Sequence, residues 1–178
     1  MYNKSFLMIS TIALALSPAI AAPPDSNNGK AAKEGQQIIV SLEHAAVNLD
    51  SEADQFKMVA DGYHYGKESH GEDLMAMKEE INRMGREIAT LEREQDALPG
   101  WEQQVVIKTL PLLKDAAAST ESAIKYLNQN SYLWTPEYRT YADRVCQDSE
   151  QMVKTLKAYL KMAELHHQER ELEVDLGE

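Results

Sequence analysis

Residues 74–127, LMAMKEEINRMGREIATLEREQDALPGWEQQVVIKTLPLLKDAAASTESAIKYL, carry two apolar series that meet at Leu98-Pro99-Gly100-Trp101. In the first, Leu74, Met77, Ile81, Met84, Ile88, Leu91, Gln95 and Leu98 follow one another at steps of three and four. Such steps place side chains on one side of a helix, whereas a half-buried strand would alternate every second residue. The second series, Gln103, Val106, Leu110, Leu113, Ala117, Thr120, Ile124 and Leu127, repeats the alternation. A Pro-Gly break is too short for anything but a reversal, so the spacing predicts an antiparallel helical hairpin at the centre of the fold.

Helices flank this hairpin on both sides. Upstream, Ile39, Leu42, Ala46, Leu49, Ala53, Phe56, Ala60 and Tyr63 step in the same way, and the alanines allow close approach of a neighbouring helix. Downstream, Thr135-Pro136-Glu137 is a helix start: a Thr N-cap, Pro in the first helical position and an acid in the first turn. The stripe that follows is Tyr138, Ala142, Val145, Ser149, Met152, Leu156, Tyr159 and Ala163, widened by Cys146, Val153 and Leu160. Helices are expected at about 31–61, 72–98, 101–128 and 136–172, with an acidic tail at 173–178 and a kink at Pro111, which lacks the backbone donor a helix interior uses. The expected fold class is all-α, an antiparallel up-down-up-down four-helix bundle with heptad, coiled-coil-like packing over 31–172. A monomer is expected; helical hairpins completed by homodimerisation are the alternative.

The N-terminus has the form of a signal peptide. Met1–Lys4 supplies one positive charge, Phe6–Leu16 an apolar run, and Ala19-Ile20-Ala21 the small residues a signal peptidase accepts. Cleavage is expected after Ala21, and the apolar run is shorter than the roughly 20 residues a spanning helix needs, so no stable membrane insertion is expected afterwards. No cysteine follows that run to carry a lipid. Residues 22–30 then form a Pro-, Asn- and Gly-rich lead-in expected to be disordered. Loss of Lys4 takes the net charge from −11 to −12, which disfavours nucleic acid and anionic membrane surfaces as partners. The expected location is periplasmic or extracellular.

Cys146 is the only cysteine, so no internal disulfide can form and the fold must rest on its apolar core. No Gly-rich phosphate loop, nucleophile-elbow motif or distinctive carboxylate pair is present, and Cys-x-x-Cys-His is absent, which excludes covalent c-type haem attachment. No catalytic residue, resident metal or cofactor is expected, and the protein is not expected to be an enzyme. Met77, Met84 and Met152 lie on the stripes as core filler.

If the helices alternate in direction, the connection within 62–71 (GYHYGKESHG) and the one following Asn128 lie at the same end of the bundle. Together they bring Tyr63, Tyr65, His70, Tyr132, Trp134 and Tyr138 to that end. Rigid aromatic rings with a polar edge suit contact with a peptide, sugar or protein, or else they plug the end of the core. The leading expectation is therefore a secreted or periplasmic structural or interaction module that meets a protein or envelope-component partner through this aromatic end. The alternative is an envelope binding protein for a metal ion or small cofactor, using His64 and His70 or the C-terminal His166 and His167.

Overall fold

The structure, a computed structural model, describes residues 28–62 and 65–176, with side chains over 33–62 and 65–168. The signal-peptide and lead-in readings therefore fall almost wholly outside the described residues, as do Tyr63 and His64 and the last two residues of the tail. Every regular element described is helical: α1 (Asn28–Asp61), α2 (Lys67–Arg93), α3 (Gly100–Gln129) and α4 (Pro136–Leu176), with a short 3-10 turn at Gln95–Ala97. The described residues are all-α with four helices, as the periodicity indicated, and none of these helices is long and apolar enough to cross a membrane.

Each helix packs on two neighbours, α1 on α2 and α4, and α3 likewise on α2 and α4, while α1 and α3 meet only slightly across the diagonal. Side-chain pairs give the register. Ser41 Oγ donates to Glu87 Oε1 at 2.7 Å and Phe56 lies edge-on to His70, so rising numbers in α1 meet falling numbers in α2. Between α1 and α4 the order is likewise reversed: Asp61 faces Arg139, Lys57 faces Asp143, Ser149 Oγ donates to Asp50 Oδ1 at 2.8 Å, and Glu43 faces Lys157. These ion pairs are mostly on solvated side chains and contribute little to stability; the core supplies the driving force. That core holds Ile39, Leu42, Leu49 and Phe56 of α1, Leu74, Met77, Met84, Ile88 and Leu91 of α2, and Tyr138, Met152 and Leu156 of α4. Each such side chain stabilises by roughly 1.5–3 kcal/mol on full burial.

Several element ends differ from the sequence expectation: α1 already begins at Asn28, inside the lead-in expected to be disordered, α4 continues to Leu176, into the expected acidic tail, and both ends of α2 move. α2 starts at Lys67, five residues before Glu72, and runs straight through Gly71, because burying His70 continues the Leu74 stripe by one more turn. It then stops at Arg93 instead of Leu98. Leu98 precedes Pro99, whose ring disfavours the helical region for the residue before it, and Leu98 is extended at φ −82° and ψ 145°. The reversal is closed by Gln103, whose Nε2 donates to Gln95 O and Leu98 O, each at 3.0 Å.

α3 differs in phase. Val106, Leu113, Thr120 and Leu127 are buried as expected, but their companions are Glu102, Thr109, Ala116 and Ala123, not Gln103, Leu110, Ala117 and Ile124. The latter four are partly exposed at the flank. Both choices step by three and four from the shared positions, so spacing alone does not separate them. The small residues at 116 and 123 face inward, and the bulkier Leu110 and Ile124 cover the seam. Pro111 is inside α3 on its exposed side.

Candidate functional site

The two connections near the end of α1 and the start of α4 build the aromatic end in two layers. Local structure sets both. Thr135 Oγ1 accepts the Tyr138 backbone N–H at 3.2 Å and donates to Tyr126 Oη at 2.8 Å, so the cap of α4 is tied to the last turn of α3. Lys67 Nζ donates to Leu127 O at 2.9 Å, placing a cation where the carbonyls of α3 end. Leu133, 6% exposed, anchors the connection between α3 and α4 in the core.

The inner layer is a plug. Tyr138 is fully buried, with ring centroids 5.5 Å from Phe56, 5.4 Å from His70 and 5.4 Å from Tyr126. Its hydroxyl lies 3.3 Å from His70 Nδ1, while His70 Nε2 has no hydrogen-bond partner. Burial lowers the His70 pKa and so favours a neutral imidazole. Burial, followed by the nearby charge of Asp73, drives the Tyr138 phenol well above its ordinary range. Asp73 is itself raised, first by burial and then by Glu52 and Glu72. His70 and Tyr138, expected among the contact residues, are sealed inside this layer and touch no solvent.

The outer layer is a rim. Tyr65 is 42% and Tyr132 57% exposed. Trp134 is half-buried, and its indole Nε1–H donates to Gly62 O at 2.8 Å across the two connections. The Tyr132 ring stands edge-on to Trp134 at 5.3 Å. The Tyr65 ring covers Gly62 so closely that a Cβ there would come 2.6 Å from it. The structure thus brings together Tyr65, Tyr132 and Trp134 as a surface and His70 and Tyr138 as the layer beneath, while Tyr63 lies outside the described residues.

Other features of the surface lack the same convergence. A shallow groove between α1 and α2, about 390 Å³, is lined by Glu34, Ile38, Ser41, Glu87, Thr90 and Glu94 among others. Among the described residues no three His, Cys, Asp or Glu side chains are arranged to hold a metal ion. His166 and His167 are exposed on the last part of α4. Cys146 is half-buried and its thiol is pushed up to about 12, first by burial and then by Asp54, the reverse of what an attacking thiolate requires. The residue that periodicity missed is Glu102, a carboxyl 1% exposed in the first turn of α3; only the alternative phase of the α3 stripe would have pointed to it. No protein-family model, curated protein or solved structure matches this chain.

Proposed function

We propose that this protein is an exported, up-down-up-down four-helix bundle that serves as a structural or interaction module, binding a protein or envelope component through the rim formed by Tyr65, Tyr132 and Trp134. The observation that carries the reading is the anchored aromatic rim. Tyr65 and Tyr132 are large apolar groups left in solvent, beside a Trp134 held by the Gly62 carbonyl. Rings already fixed in place lose little conformational entropy on binding, and Tyr and Trp dominate contact energetics at interfaces. Support for the alternating directions comes from the reversed order of the side-chain pairs between α1 and each of its neighbours. The export part of the proposal rests on the signal-peptide form of residues 1–21.

The test is site-specific photo-crosslinking in the producing cell. A benzophenone side chain at Tyr132 is expected to give one reproducible adduct, which disappears when Tyr65→Ala and Trp134→Phe are added, while the same probe at Ile107, also well exposed on α3, gives none. Equal adducts from both positions, or an adduct unaffected by the rim substitutions in a protein whose helical signal is intact, would remove the rim as the contact surface.

A further inference from the structure

At the end of the bundle remote from the aromatic rim, Glu102 occupies the first turn of α3 with its carboxyl enclosed. It is 1% exposed, and its Oε2 has no hydrogen-bond partner. What encloses it is the backbone of α1 at Gly35. A Cβ on Gly35 would overlap Glu102 Oε2 outright and come within 2.9 Å of Leu98 Cδ2. Glycine in a helix interior destabilises by roughly 0.5–1 kcal/mol relative to alanine, and here it permits the carboxyl to seat directly on the helix. Lys33, Glu34, Gln36 and Gln37 are exposed, Ile38 is half-buried, and the first fully buried apolar side chain among those described is Ile39.

We propose that Glu102 is a proton-operated latch on the N-terminal turns of α1: the protonated carboxyl seats against Gly35 and holds residues 28–38 on the bundle, and its ionisation releases them. The physical basis is the cost of an enclosed charge. An ionised carboxylate without hydrogen bonds or a counter-charge is far less stable in a dry site than in water, so losing the proton requires that water reach it. The charged groups on the surrounding elements do not relieve this. Lys33 and Glu34 on α1, Glu92 and Arg93 on α2, Glu94 and Asp96 in the turn and Lys161 and Glu164 on α4 are all exposed or partly so. Burial alone raises the Glu102 pKa, to about 7. The N-terminal end of α3 works in the opposite direction, favouring negative charge, and burial outweighs it.

The pH dependence follows from linkage. In the released form Glu102 is solvated and has the ordinary value of 4.5, whereas in the seated form it holds its proton to about pH 7. Between those values the seated form binds more protons, so release is favoured as pH rises, by up to about tenfold per pH unit, and levels off above 7. The latch is closed in acid and open in neutral or alkaline solution.

Native-state hydrogen exchange of the Gly35–Ile39 amides from pH 5 to 8, with intrinsic rates divided out, tests this together with a ¹³C titration of the Glu102 carboxyl. Protection is expected to fall by one to two orders of magnitude between pH 5 and 7 in the natural protein and to be flat in Glu102→Gln, with the carboxyl titrating near 7. Gly35→Ala should abolish the protection at every pH and return the carboxyl to an ordinary midpoint. A carboxyl that titrates with the surface glutamates, or a Glu102→Gln protein that keeps the full pH dependence, would overturn the proposal. If Gly35→Ala unfolds the bundle, the titration and the glutamine variant still decide.

Discussion

At the scale of single residues, His70 shows how burial converts a surface-type residue into a structural one. Its imidazole meets the Phe56 and Tyr138 rings, and burial disfavours the charged form. Below the ordinary value of 6.5 the unfolded chain takes up a proton that the folded chain declines, so stability contributed at this position is lost as pH falls through 6.5 and further toward the depressed folded value. Urea unfolding of the natural protein and of His70→Gln at pH 7.5, 6.5 and 5.5 should show their stability difference moving against the natural protein on acidification, by at most about 1.4 kcal/mol per pH unit. Glu102 and Asp73, whose pKa values are raised, have the opposite sign and cancel in the difference. Gly62, Gly66 and Gly71 around His70 suggest a connection, yet the steps from His70 to Leu74 and from Leu74 to Met77 are four and three. That spacing was legible; glycine-rich composition masked it, since Gly71 tolerates the helix once His70 is packed.

At the scale of elements, α3 is where one-dimensional pattern and three-dimensional packing part. Positions 102, 109, 116 and 123 and positions 103, 110, 117 and 124 stand in equivalent heptad relation to Val106, Leu113, Thr120 and Leu127. The larger side chains of the second set argue for burying it, and the structure buries the first. Two constraints favour that choice: Gln103 is used by the turn, and α3 approaches its neighbours through Ala116 and Ala123. Ala116→Leu is accordingly expected to cost about 1–3 kcal/mol by overpacking, with Ala117→Leu close to neutral, by chemical denaturation. The reverse ranking would restore the other face. The chosen phase also carries a polar burden, since Thr109 and Thr120 are buried with hydroxyls that have no partner. Thr109→Val keeps the shape and removes an unsatisfied group, so it should raise stability by about 1 kcal/mol.

At the scale of the whole molecule, the proposed reading of residues 1–21 as an export signal predicts a mature N-terminus at Ala22. N-terminal sequencing of the protein recovered from the producing cell's envelope or medium should return Ala22-Pro23-Pro24; an intact Met1 start in a cytoplasmic fraction would remove export from the proposal. The four helices of the described residues, around one apolar core, were legible in the sequence alone, because alternation of three and four is a local property of the chain and Pro-Gly and Thr-Pro punctuate it locally. Which aromatics form the plug and which the rim was decided only by tertiary structure, as was the enclosure of Glu102 by Gly35. Burial at a helix end depends on where two distant connections cross, through the Trp134 bond to Gly62 and the Lys67 bond to Leu127, and on how closely one backbone approaches another. Those distances are set by packing among residues far apart in the chain, which periodicity along a single helix does not encode.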